Sequence, residues 1–220
     1  MKTVSVSIIC ALALTTLLGC SSGNSTLKTN VDSLPQTCAT GGSCRLGDTG
    51  PGGGLVFFTD SNDQYAGFTY IEIATSDMID ATGNPFKTRN CFEGGLMLSP
   101  NSSKIGRGPN NTKISSKYCP TGPGVVAVAS RSNGLSDWYV PTSDELTLAY
   151  DVLAVNGLGG FETSNRQTPT CTSSFVDNLD VEGTGAIVVY LDPSILGIAG
   201  KSQESRGDQN CLIRVARAFG

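Results

Sequence analysis

The sequence predicts a loop-rich α+β fold stabilised by disulfides, and three observations lead to it. Glycine is abundant, 27 of 220 residues, while only 15% of residues are charged, a balance that suits loops and sheets rather than a helical bundle. Short apolar runs alternate with period two in several places and follow a helical period in one. Six cysteines remain once an amino-terminal export signal is set aside, an even set in a chain bound for an oxidising compartment.

The export signal comes first in the chain. Lys2 is followed by an uncharged stretch from Val4 to Leu18, too short to span a bilayer but matched to the apolar region of a secretory signal. It ends in Leu17-Leu18-Gly19-Cys20, which resembles the bacterial lipobox. Residues 1–19 are therefore expected to be removed as a lipoprotein signal peptide, leaving Cys20 as the lipid attachment site. Several acyl chains on one terminus make a stable anchor, and Ser21 after the modified cysteine goes with export to the outer membrane. No second apolar stretch is long enough to cross a membrane. Residues 20–37 are rich in Ser, Thr and Asn and read as a flexible tether, reaching on the order of 55 Å when fully extended. The remainder, 38–220, is long enough for one domain with a real core.

The domain opens at Cys38. Gly41-Gly42 lets a short loop turn back, so Cys38 is expected to pair with Cys44, and chain order suggests Cys91 with Cys119 and Cys171 with Cys211. A zinc site is the weaker reading, because no CxxC pair is present. Gly47-Asp48-Thr49-Gly50-Pro51-Gly52-Gly53-Gly54 then leads into a strand at Leu55–Thr59. The run precedes a strand, lacks a Gly-Lys-Ser/Thr ending and opens no helix, which rules against a phosphate loop. Asp60-Ser61-Asn62-Asp63-Gln64 reads as a polar turn rather than a calcium site. Phe68–Ala74 alternates like a half-buried strand, and 76–124 reads as irregular, with Cys91 and Cys119 holding it. Val125–Ala129 is a short apolar helix or strand. Thr142 with Glu145 fits a capping box, and Leu146, Ala149, Tyr150 and Leu153 fall on one face of a helix ending near Asn156-Gly157. Thr184–Leu191 and Leu212–Phe219 read as the last strands.

The absence of histidine bounds the chemistry: no Ser-His-Asp triad, Cys-His dyad or histidine-ligated metal is available. The net charge of −4 argues against nucleic acid as a partner. Lys104, Arg107, Lys113 and Lys117 form a local basic stretch that reads as a solvated loop.

Taken in order, Leu46–Phe58, Ile105-Gly106-Arg107-Gly108 with Asn111-Thr112, Asp137-Trp138-Tyr139-Val140-Pro141 through Leu146, and Ile213–Phe219 resemble a bacterial domain family. That family is named after the C-terminal domain of the Legionella collagen-like adhesin, and the matches cover about 46–219. Cys171-Thr172-Ser173-Ser174 stands where the family often has a tryptophan followed by serines, and no Gly-X-Y stalk precedes the domain. The resemblance implies a C-type-lectin-like fold, with small antiparallel sheets and one or two helices, on surface proteins that attach to glycans or proteins. Motifs of calcium-dependent sugar sites, Glu-Pro-Asn or Gln-Pro-Asp with Trp-Asn-Asp, are absent from the sequence.

The expected function is a non-catalytic binding or adhesion module, lipid-anchored at the outer membrane and taking a glycan or surface protein. No catalytic residue, metal ligand or cofactor is assigned, and no ligand-binding residue is named. Trp138 is expected in the core rather than as a sugar platform. Two other readings stand beside this one. One is a structural envelope protein that self-associates. The other is a catalyst resembling the formylglycine-generating enzymes, which share the C-type-lectin-like fold and use paired cysteines; here these would be Cys171 and Cys211. Oligomeric state is left open.

Overall fold

The computed structural model describes residues 37–89, 102–161, 168–176, 185–191, 201–205 and 210–220, all within one compact unit, Pro35–Gly220. The expected signal peptide, Cys20, nearly all of the tether, and Cys91 lie outside the described residues. The fold is α+β, loop-rich and disulfide-stabilised. Strands are β1 Leu55–Thr59, β2 Tyr70–Ile73, β3 Lys87–Arg89, β4 Thr170–Val176, β5 Gly185–Tyr190, β6 Lys201–Ser205, β7 Asn210–Leu212 and β8 Ala216–Phe219. The described residues hold three helices, α1 Gly108–Tyr118, α2 Pro123–Ala129 and α3 Ser143–Leu153, where one or two are expected. No helix among the described residues is long and apolar enough to cross a membrane.

One sheet has the order β1-β2-β8 and is antiparallel throughout. The other has the order β3-β7-β4-β5-β6, antiparallel apart from a parallel contact of β4 with β7 at Thr170 and Leu212. In β1 the register slips between Val56 and Phe58, so Phe57 is the extra residue of a bulge. The bulge lets consecutive residues both point inward. Val56 packs with Cys38 and Cys44, while Phe57 joins the main core.

Among the described residues the two largest apolar clusters fill most of the interior, and β5 contributes to both. Val189, with Leu191 just beyond the strand, joins Ile71, Ile73, Leu146 and Leu153. Val188 and Tyr190 join Trp138, Val140, Ile213 and Val215. That alternation follows from the two-residue period of a strand, with both of its faces covered.

Helix α3 forms as its sequence pattern dictates. The Thr142 hydroxyl accepts from the Glu145 amide at 3.1 Å, and the Glu145 carboxylate accepts from the Thr142 amide at 2.8 Å. Leu146, Ala149, Tyr150 and Leu153 are buried, and the chain leaves through a 3₁₀ turn at Ala154–Asn156 into Gly157, whose φ is 67°.

Three elements depart from the sequence reading. The stretch 76–124 is not irregular throughout, since it holds β3, α1 and the start of α2. Helix α1 is built from poor helix formers, and its buried positions are Gly108, Asn111, Thr112 and Ser115, so no apolar period marks it. Side chains anchor it instead: Asn111 Nδ2 donates to the Ser102 carbonyl at 2.7 Å, and the Thr112 hydroxyl accepts from the Val140 amide at 2.9 Å. The expected terminal strand Leu212–Phe219 is two strands in two sheets, with Ile213–Val215 buried as the crossing. In β2 the half-buried alternation fails at Glu72, which is fully buried.

Cys38 is bonded to Cys44 and Cys171 to Cys211, the pairs expected from chain order. Cys119 is also disulfide-bonded.

Candidate functional site

Glycine-rich loops at two places wrap a buried glutamate, and each wrap fixes a wall of the surface. In the loop before β1, Gly52 and Gly54 each donate a backbone N–H to one oxygen of Glu72, both at 2.9 Å. A side-chain carbon at Gly50 would stand 2.6 Å from a Glu72 oxygen, and one at Gly54 would stand 2.6 Å from the Ile73 carbonyl, so this close approach needs glycine. Successive N–H groups of this kind form an anion-binding nest, and here the chain's own carboxylate occupies it. Glu72 faces Arg217 across the β2–β8 pair and accepts from its Nη1 at 3.1 Å; Arg217 Nε also donates to Asp137. Burial opposes the Arg217 charge, but Asp137 and Glu72 outweigh it and hold the guanidinium above its ordinary pKa. Buried charges satisfied in this way lock a loop that has no apolar content of its own.

The second wrap centres on Glu145. Besides capping α3, its carboxylate accepts from the Gly106 amide at 2.8 Å, tying the Ile105–Gly108 turn to the helix. Burial pushes its pKa up to about 7, against the opposing pull of the Thr142, Gly106 and Gly108 amides. Tyr139 lies alongside, its phenol pushed well above the usual value by burial and then by the Glu145 charge. Arg214 does comparable work elsewhere. It is 1% exposed, pairs with Asp77 at 2.9 Å, donates to the carbonyls of Gly159 and Gly160, and stacks on Phe161.

Two open concavities border these locked loops, at opposite ends of the β1–β2 hairpin. At its open end a cleft of about 270 Å³ lies between Gly52–Gly54, Thr75–Ile79 and Ser130–Ser132, with Trp138 and Val215 in its lining. Ser132 fastens the third wall to the first by donating to the Gly52 carbonyl at 2.7 Å. At the turn end, a shallower groove of about 690 Å³ runs beside Tyr65 and Phe68 and is edged by Lys104 and Arg107.

Trp138 is 4% exposed, which places it in the core, with its edge against the glycine loop. Within the basic stretch, Lys104 pairs with Asp144 at 3.3 Å, and Lys113 and Lys117 stand exposed on α1. In the Asp60 turn the carboxylate accepts from the Tyr65 amide at 2.7 Å. Cys171 and Cys211 are fully buried as well as bonded to each other. No cluster of metal-ligating side chains is present among the described residues.

Glu72 and Arg217 carry the electrostatics of the glycine wrap and Arg214 holds Asp77 and the Gly159–Gly160 turn, and the sequence reading placed all three only as strand residues. Their signal is a charge set among apolar neighbours, as in Ile71-Glu72-Ile73 and Ile213-Arg214-Val215. Against known proteins, no family model and no curated protein matches the chain.

Proposed function

We propose that the chain is an exported lipoprotein, anchored through Cys20 to the outer membrane, whose domain is a non-catalytic, C-type-lectin-like module that binds a glycan or a surface protein. The resemblance to the Legionella adhesin domain family supplies the adhesion class. The carrying observation is the cleft at Gly52–Gly54, whose walls are held by buried Glu72 and by the Ser132 bond to Gly52. Preformed walls spare a ligand the cost of ordering loops, which is what a binding site needs. The buried ionisable groups are engaged in fixing loops, and Cys171 and Cys211 are sealed as a pair; both points favour binding over catalysis.

A screen of the delipidated domain against glycans and envelope proteins tests the reading. Saturable binding to a member of either set is expected, and a domain that binds none of them defeats it. For the anchor, Cys20→Ala is expected to release the protein from the membrane fraction or leave the precursor uncleaved. Normal maturation and retention of that variant would refute the lipid attachment.

A further inference from the structure

Half of the large exposed apolar side chains among the described residues gather at one corner. Leu46 is 54% exposed, Val155 80% and Leu158 41%. They come from two segments that touch, since Leu158 Cδ1 would stand 3.2 Å from a side-chain carbon at Gly47, the neighbour of Leu46. The Leu158 amide donates to the Leu153 carbonyl at 2.9 Å, so the chain leaving α3 folds back and presents Val155 at its 3₁₀ turn. Residues 154–161 hold no charged side chain. Arg45, exposed beside Leu46, has a guanidinium engaged in no hydrogen bond or ion pair among the described residues.

This corner lies where the chain enters the domain. The Cys38–Cys44 disulfide holds its Cα atoms 4.7 Å apart, and Leu46 follows two residues after Cys44. At about 3.8 Å per residue, Leu46 stands within about 12 Å of Cys38. The tether from Cys20 therefore ends beside the patch. A flexible chain of its length has a root-mean-square span of about 20–25 Å. A patch held that near a surface meets it at an effective concentration of millimolar order, at which a weak apolar contact is populated.

We infer that Leu46, Val155 and Leu158 dock on the phospholipid surface that carries the anchor, with Arg45 against lipid phosphates. The inference rests on the lipid-anchor reading and adds an orientation of the domain to it. Aliphatic side chains that reach the acyl boundary leave water, and the uncharged turn brings no charge with them. A membrane suits the patch better than a second copy of the chain does. On their own, three partly exposed aliphatic side chains fall short of the roughly 800 Å² per partner that a stable protein interface buries.

Trp138 is the single tryptophan of the chain and is buried, so quenchers carried by lipid do not reach it and the wild type sets the baseline. The mature full chain is reconstituted in vesicles of phosphatidylethanolamine and phosphatidylglycerol with brominated acyl chains, which quench only the rings they touch. Leu46→Trp and Val155→Trp are each expected to lose several-fold more emission than the wild type. Val128→Trp, at an exposed residue of α2 outside the patch, is expected to match the wild type. Adding Val155→Asp to the Leu46→Trp chain is expected to return quenching to the baseline, because a charge at the turn opposes burial in lipid. Leu46 and Val155 lie in separate segments, so one reporter still tests the inference should the other misfold. The inference is overturned if neither reporter is quenched beyond the wild type, if Val128→Trp is quenched equally, or if Val155→Asp changes nothing. A reporter whose emission shifts with the protein-to-lipid ratio but is not quenched assigns the patch to a second copy and overturns it too. Flotation separates this inference from the reading beneath it. A chain that does not float with the vesicles lacks its anchor, which removes both, whereas a floating chain with unquenched reporters overturns the docking alone.

Discussion

Glu72→Gln probes the element on which the site depends. The native carboxylate accepts two backbone hydrogen bonds and one from Arg217, all in the interior. Glutamine keeps one acceptor oxygen, but its amide group meets a glycine N–H donor to donor, and Arg217 loses its fully buried counter-charge. Removing one partner of a buried pair costs about 3–5 kcal/mol. Arg217 retains Asp137, whose side chain is 55% exposed and only partly compensates, so the lower end, about 3 kcal/mol, is expected. In urea, with a slope of roughly 1–3 kcal/mol per molar, the midpoint falls by about 1–3 M. Trp138 emission should move with it, because Gly52 packs on the indole edge. Asp144→Asn, which removes the exposed pair with Lys104 and one first-turn acid of α3, is the control and should change stability by about 1 kcal/mol or less. A Glu72→Gln protein no less stable than that control would refute the claim that the nest holds the loop.

Other consequences can be measured on the same chain. Thr142→Ala removes one cap acceptor and should cost about 1 kcal/mol, whereas Trp138→Ala should cost roughly 3–5 kcal/mol; denaturant melts compare them, and a near-neutral Trp138→Ala would contradict the core placement. Glu145 has a folded pKa raised from 4.5 to about 7, so the native state holds its proton longer than the unfolded chain does. Its contribution therefore makes stability fall as pH rises from about 4.5 to 7, by roughly 3 kcal/mol, and Glu145→Gln should flatten that slope in melts across the window. Replacing both Cys171 and Cys211 with Ala should cost about 2–4 kcal/mol, chiefly through a freer unfolded chain, and free-thiol titration of the native protein should find neither cysteine.

Elements that obey local rules were legible in the sequence, and elements held by distant partners were not. Helix α3 is readable because Thr142, Glu145 and the Leu146–Leu153 face all lie within twelve residues. Strand β1 is readable as an apolar run behind a glycine turn. Helix α1 escapes because its buried face is polar and is satisfied by Ser102 and Val140, far from any pattern inside the helix. The glycine run before β1 is visible as a turn, but its purpose depends on Glu72 and then on Arg217, 145 positions further along. The cleft is the least legible part. Its walls come from three separated segments, and Trp138, singled out in the sequence as a core residue, proves to be both core and lining.

Strand β5 belongs to both apolar clusters at once, through Val188 and Tyr190 on one side and Val189 on the other. Neither cluster can open while the other stays closed without tearing that strand from half its neighbours. The two halves of the interior therefore form one cooperative unit, and the backbone amides of β5 should exchange with deuterium only when the whole domain opens. Thr75 and Ser76 on the cleft rim are exposed, between the Ala74 and Met78 amides that bond back to Val215 and Ile213. The walls of the cleft thus hang on a frame that opens as a whole or not at all.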